Sequence, residues 1–465
     1  MAPQKHRRSP LFIVLLTLLS LFVVVGVAAS IFSFRPSAET SQTTSPANTE
    51  QQAHQTSETS AQAEQPLDAN ATPTSEAEAS GAGVDAGAGD TSANGSATTD
   101  GSGSSTHSAA NVNPVEINVF MVGDILIHSG VWASGDQGDG TFNFDHLFSH
   151  IAPDLAQADL KILDQETILG GTEMGLSGYP SFNSPQEVGV AEAAAGFNMI
   201  LRASNHSMDM GNAGIRSELS FWRDNYPNIE VVGAVMPEET TAAEDGPHYY
   251  EKDGFKIAVL NYTYDLNGYE DPSDAVCEID WDQIQKDVTI AENTADLTIV
   301  CPHWGEENSN IPTEDQRALA QAMAEWGADL ILGNHPHVIQ PVELITLGNG
   351  HQVPVYWSVG NFVSTMLDPG NMIGGMAKVR LVKDGQGARV TNYGFEPIVT
   401  HQGYGTDMTT YPLREYTDDL AWTTTYQMAA GSVMPEWVQQ YCSEVLGEQY
   451  DPSSYQLSVS LDNAA

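Results

Sequence analysis

Apolar and polar positions divide the chain into three unlike stretches. From Ser9 to Phe34 no Asp, Glu, Lys or Arg interrupts an apolar run centred on LFIVLLTLLSLFVVVGVAASIF. A run of that length can span a bilayer as a helix. Lys5, His6, Arg7 and Arg8 precede it, which puts the N-terminus in the cytoplasm and everything after the run outside. The alternative is a signal peptide cleaved near the small residues Val27-Ala28-Ala29-Ser30 and a secreted product. The length of the run favours a retained anchor over residues 1–35, hence a single-pass protein of the cell membrane with its C-terminal part extracellular. Residues 36–113 are Ser, Thr, Ala, Gly, Gln and Glu with almost no large apolar side chain. Such a stretch cannot bury enough surface to offset chain entropy and is expected to be a disordered linker. As a flexible coil it would span about 50 Å root mean square.

From residue 114 onward the pattern is that of a folded α/β chain. Short β-branched runs predict strands over Glu116–Val122, Leu160–Leu163, Met199–Leu201, Ile229–Val232, Leu297–Cys301, Leu330–Leu332, Val353–Phe362 and Met376–Val382. Periodic stretches predict helices over Gln186–Ala195, Asn212–Asn225, Asp280–Asn293 and Thr313–Trp326. His248–Leu260 reads as a hairpin turning at Asp253-Gly254, and Lys383–Ala388 as a second hairpin turn. Alternation of this kind argues helices layered on mixed sheets. The folded region is read as a domain over 114–400 and a C-terminal extension over 401–465, whose aromatics and helical stretches would cover a sheet edge.

Charge then narrows the partners. The chain has 465 residues, 61 acidic and 17 basic, for a net charge of −44. The linker holds ten acidic residues and no Lys or Arg, leaving 51 acidic against 13 basic from residue 114 on. Nucleic acid is excluded as a partner, because phosphate contacts need a basic face. Three cysteines, Cys277, Cys301 and Cys442, are too few for a disulfide scaffold.

The chemistry-bearing residues gather just past predicted strands, where ligands of α/β sheets collect. Five clusters stand there in order: Gly123-Asp124, Asp164-Gln165-Glu166, Ser204-Asn205-His206, His303-Trp304-Gly305-Glu306 and Gly333-Asn334-His335-Pro336-His337. Each is weak alone, since a lone Asp is commonly a cap and a lone His a core residue. Together they supply carboxylates, an amide and imidazoles, an O/N set without sulfur that suits Mn²⁺, Fe²⁺ or Zn²⁺. In extended chain residues i and i+2 share a side, and Pro336 biases His335 away from helix. His335 and His337 are therefore expected to project together onto two adjacent metals.

The stretches MVGDILIHSG, LDQET, ASNHSMDMGNAGI, CPHWGEE, GADLILGNHPHVIQPVE and YWSVGNFVS resemble the CapA family of capsule and poly-γ-glutamate synthesis proteins, in the family's order. The resemblance implies a calcineurin-like metallophosphoesterase fold, a four-layer α-β-β-α sandwich. It implies two divalent ions: Asp124 and His337 on the first, Asn205, His303 and His335 on the second, and Glu166 bridging. His206 would stay off the metals as substrate contact or acid, and Asn361 would shape the pocket beside Asn334. The fold's first motif pairs its Asp with a His two residues on. Here that position is Leu126, and His128, four residues on, either binds from a loop or does not bind. Asp164 is an extra ligand or a buried support. Trp304 is pocket wall or core, and Glu306 with Glu307 either orients His303 or forms a solvated acidic loop.

The resemblance implies work on an anionic capsule polymer or its precursor, beside membrane synthase subunits, as a dimetal hydrolase of phosphoester or amide bonds. The alternatives are a non-catalytic polymer-binding assembly factor and a secreted metallophosphoesterase. Two divalent ions would make the centre positive inside a strongly negative domain.

Overall fold

The computed structural model describes residues 113–239, 246–366, 368–404, 407–424 and 433–461. The expected anchor over 1–35 and all but the last residue of the expected 36–113 linker lie outside the described residues. Among the described residues no helix is long and apolar enough to cross a membrane.

Four strands in the first half run parallel in one sheet: β1 (Val115–Ile125), β2 (Leu160–Asp164), β3 (Met199–Leu201) and β4 (Glu230–Val232). The next six build a second sheet: β5 (His248–Lys252), β6 (Phe255–Thr263), β7 (Leu297–His303), β8 (Leu330–Leu332), β9 (Val342–Thr346) and β10 (Gln352–Tyr356). Its order is β5-β6-β7-β8-β10-β9, parallel from β6 to β10 and antiparallel at both edges. The chain then returns to the first sheet with β11 (Asn361–Val363), β12 (Ile373–Asp384), β13 (Gly387–Gln402), β14 (Met408–Pro412), β15 (Tyr450–Asp451) and β16 (Gln456–Ser460). That sheet reads β15-β16-β13-β12-β1-β2-β3-β4, with β11 beside β1 and β14 beside β13. The mixed α/β expectation holds.

Period-two burial explains the layers. Ile117, Val119 and Met121 of β1 share one core with Ile257 and Val259 of β6, so the two sheets face each other across it. The alternate β1 residues Phe120 and Val122 pack on the opposite face. There they meet Val188 of helix α1 (Glu187–Ala195) and Phe221 and Trp222 of α2 (Gly211–Asn225). Ala258 and Leu260 face Ile284 and Val288 of α3 (Trp281–Thr294) and Leu319 and Met323 of α4 (Glu314–Trp326). α4 starts where its sequence says: Thr313 Oγ1 accepts from Gln316 N (3.1 Å), and the Gln316 side chain accepts from Thr313 N (2.9 Å). The β5–β6 hairpin turns at Asp253 and Gly254, both at positive φ, as a two-residue turn between right-twisted strands requires.

One expectation needs correction. Val353–Phe362 is not one strand: β10 ends at Tyr356, and β11 begins at Asn361 in the other sheet. The apolar pattern ran on because Trp357, Ser358 and Val359, which cross between the sheets, are buried as deeply as strand residues. After residue 401 the chain does more than cover an edge with helices. β16 pairs with β13 inside the first sheet, and Val438, Cys442 and Leu446 of α5 (Pro435–Leu446) enter the inter-sheet core. No disulfide joins Cys277, Cys301 or Cys442.

Candidate metal centre

β1, β2 and β3 of one sheet and β7 and β8 of the other deliver their C-terminal ends to one place. Asp124 lies near the end of β1, where the ladder to β2 breaks register. A Cβ on Gly123 would stand 1.7 Å from Gly360 O, so only glycine lets the Ser358–Asn361 crossing close over β1. Asp124 N donates to Gly360 O (3.2 Å), and Asn361 sits opposite Asp124 in the β1–β11 pair. His303 is the last residue of β7 and bridges Asn334 just past β8. His335 and His337 do converge, their rings 5.6 Å apart, but not through extended chain. Their φ angles are 97° and 61°, in the left-handed region. Each such conformation costs on the order of 1–3 kcal/mol and persists where surroundings fix it. Here Asn308 N holds Pro336 O (2.8 Å) and Asn371 Nδ2 holds His337 O (3.2 Å).

The side chains form two separate triplets, the ligand atoms of each lying within 4.8 Å of one another: Glu166, His335 and His337, and Asp124, Asp164 and His303. Shorter contacts cut across them. His337 Nδ1 lies 3.1 Å from both Asp124 Oδ2 and Asn361 Oδ1. His303 Nδ1 lies 3.0 Å from Asp164 Oδ2, and its Nε2 2.9 Å from Asn205 Oδ1. Asn334 Nδ2 donates to Asp164 Oδ2 (3.2 Å). Asp124 with His337, and Asn205 with His303, are pairings the family resemblance implies.

The electrostatics of the centre call for a cation. Asp124, Asp164 and Glu166 are at most 1% exposed. Asp124 Oδ1, Asp164 Oδ1, both Glu166 carboxylate oxygens, Asn334 Oδ1 and His335 Nδ1 are buried without hydrogen-bond partners. Burial, then the Asp124 and Asp164 charges, push the Glu166 carboxyl far above its usual range. Burial also raises Asp124, although the His337 hydrogen bond pulls it down. Burial and the neighbouring imidazoles hold His335 well below the usual histidine range, so it is neutral and free to ligate. His337 goes the other way: burial opposes its charge, but the Asp124 carboxylate outweighs that and raises it. Orphaned carboxylate oxygens and a neutral imidazole are costly unless paired, and divalent ions fit this donor set.

Other predicted residues fall into different places. His206 Nδ1 meets Asp209 Oδ2 at 2.7 Å, and its ring stands edge-on to Phe182. His128 packs on the same Phe182 ring and belongs to neither triplet; burial depresses it to about 4. Glu306 is exposed, and both His303 nitrogens are engaged by Asp164 and Asn205. The orienting role considered for Glu306 therefore falls to Asp164. Trp304 is 2% exposed and stacks on Trp357, with Nε1 donating to Trp357 O (3.0 Å), so it is core more than pocket.

Sequence reasoning missed three residues. Asp209 was legible as the carboxylate three residues past His206. Arg202 was legible as a lone charge at the end of an apolar strand. It is fully buried and donates to Glu218 (2.9 Å) and to the carbonyls of Gln165 (2.8 Å) and Glu166 (3.2 Å). Asn267, which touches Asn205 and His206, gave no signal.

Comparison with known proteins follows the same residues. The family described as bacterial capsule synthesis protein PGA_cap matches residues 118–366, a range holding every residue of both triplets. The PGA biosynthesis protein CapA of Bacillus subtilis (strain 168) is 34% identical over 171 residues, 36% of this chain and 42% of that protein. The capsule biosynthesis protein CapA of Bacillus anthracis is 27% identical over 263 residues, 53% of this chain and 60% of that protein. The chain thus spans about half the length of these curated relatives. Among solved structures, the NAD nucleotidase of Haemophilus influenzae superposes with a TM-score of 0.39 at 14% identity, over 60% of this chain and 49% of that one.

Proposed function

The chain belongs to the bacterial capsule synthesis protein PGA_cap family, and from that premise we propose that it is a metal-dependent hydrolase of capsule-polymer biosynthesis, export or anchoring. The polymer class is anionic, of the poly-γ-glutamate type, as the resemblance to the CapA family implies; the names of the two relatives speak of PGA biosynthesis and of capsule biosynthesis. The proposal includes a retained N-terminal anchor that keeps the folded region outside the membrane, and a four-layer arrangement of the metallophosphoesterase kind.

One observation carries the reading: five oxygens and an imidazole nitrogen lie buried without hydrogen-bond partners on the side chains of a centre fed by both sheets. Asp124, Glu166 and His337 would hold one divalent ion, and Glu166, Asn205, His303 and His335 a second, with Asp164 fixing the His303 ring. When bound, the ions supply Lewis-acid polarisation of the scissile group and a lowered pKa for attacking water. The chain's own residues do the rest. Asp209, 2.7 Å from His206 Nδ1, accepts the Nδ1 hydrogen and fixes the ring, so Nε2 donates a proton when the imidazole carries both hydrogens. Phe182 N anchors Asp209 in turn (2.6 Å). His206 would then protonate the leaving group.

The test sets the full chain, loaded with Mn²⁺, against bis-p-nitrophenyl phosphate and against γ-glutamyl polymer. Turnover of the first alone marks a phosphoesterase, and of the second alone an amide hydrolase. His206→Ala is expected to lower kcat by 10²-fold or more. A metal-loaded chain that turns over neither would replace the hydrolase by a polymer-binding assembly factor.

A further inference from the structure

The short loop after β6 reaches the metal centre from the second sheet. Tyr264 N donates to His303 O (3.0 Å), and the Tyr264 ring lies 4.4 Å from that of His335. Asp265 Oδ1 accepts from Leu266 N (2.5 Å) and Gly268 N (3.2 Å), and Leu266 is buried, so the loop is fixed by its own bonds. Asn267 stands at its tip with φ 53°, a left-handed position that asparagine tolerates. There its Oδ1 accepts from Asn205 Nδ2 (3.3 Å), while its Nδ2 lies 3.3 and 3.4 Å from the two ring nitrogens of His206.

From this contact we infer that Asn267 is a positioning residue that selects the ligating orientation of the Asn205 amide. The inference rests on the metal-centre reading above and deepens it. An asparagine amide has two ends of nearly the same shape, and only the oxygen can ligate a metal. A half-turn about the Cβ–Cγ bond would aim an NH₂ group at the centre. Asn205 is 1% exposed, so its NH₂ needs a protein acceptor rather than water. With Asn267 Oδ1 taking that NH₂, Asn205 Oδ1 is left facing His303 Nε2 at 2.9 Å. Without it the two orientations approach equal energy, and part of the population presents the wrong end. Asn267 itself is exposed, so removing its side chain opens no core cavity.

The test is metal affinity, measured on the full chain by competition between a chelating dye and Zn²⁺ or Mn²⁺. Asn267→Gly keeps the left-handed turn and removes the acceptor; it is expected to weaken affinity about tenfold or more, as loss of a residue that orients a ligand does. Asn267→Asp keeps an acceptor oxygen and is expected to bind as tightly as wild type or tighter. Thermal unfolding of the metal-free proteins should be alike in all three. N267G binding at wild-type affinity overturns the inference, and so does N267D falling with N267G. A wild-type chain that binds no metal in this titration removes the metal-centre reading itself, which N267G cannot do.

Discussion

Arg202 offers the sharpest test of how the centre is held in place. It is fully buried at the end of β3 and joins three segments: Glu218 on α2 (2.9 Å), the carbonyls of Gln165 and Glu166 (2.8 and 3.2 Å), and His206 O (3.4 Å). Arg202→Met keeps much of the volume and removes all of these bonds. The largest cost is Glu218, 1% exposed and left without its cation. Breaking a buried pair from one side costs about 3–5 kcal/mol, and each stranded carbonyl adds up to about 1–3. Against a whole-protein stability of about 5–15 kcal/mol, the variant should be severely weakened. Burial already raises the Glu218 carboxyl, opposed by Arg202. Once the guanidinium is gone, Glu218 takes up a proton readily, so the deficit should shrink towards pH 5. Adding Glu218→Gln should recover on the order of 2 kcal/mol or more at pH 7.5, leaving the carbonyl cost behind. The assay is urea denaturation of wild type, R202M and R202M/E218Q at both pH values. A deficit below about 1 kcal/mol, or no recovery in the double variant, would refute the hub.

Asp329 and Gly123 test the two sheets separately. Burial pushes Asp329 up to about 7, with Glu292 adding to it and the Thr298 N hydrogen bond opposing. A raised carboxyl favours the protonated fold, so its penalty is absent below about pH 4, grows as pH climbs towards and through 7, and reaches at most on the order of 4 kcal/mol. Asp329→Asn keeps an acceptor for Thr298 N and should gain on wild type between pH 5 and pH 8; an advantage that does not change with pH counts against the assignment. Gly123→Ala places a methyl 1.7 Å from a backbone oxygen that cannot move aside, whereas Gly348→Ala meets nothing within 4 Å. The first should cost about 3 kcal/mol or more and the second stay within about 0.5, and similar melting points for the two would be inconsistent with the close crossing at Gly360.

Much of this fold could be read from alternation alone. β3 and β8 fall on their predicted residues, and α3 and α4 start one residue after their predicted first residues, Asp280 and Thr313, which serve as N-caps, because period and capping are local properties. The β10–β11 break was hidden, since burial on both sides of the crossing extends the apolar pattern where hydrogen bonding changes sheets. At the centre, polar residues past strand ends marked Asp124, Glu166, Asn205, His303, His335 and His337, which the structure brings together. The pairing of His335 with His337 was legible, but its backbone was not: a proline between two residues argues against helix without specifying a left-handed conformation. Asp209 and Arg202 carried weak local signals. Asn267 carried none, because its meaning lies in a contact with residue 205, across two sheets and 62 positions.

The central claim is that the buried centre is a divalent metal site. Elemental analysis of the full chain, equilibrated with Mn²⁺ and Zn²⁺ and then desalted, tests it most directly. The account predicts one to two ions per chain, with a lower content in His337→Ala. A wild-type chain that retains no metal would contradict it.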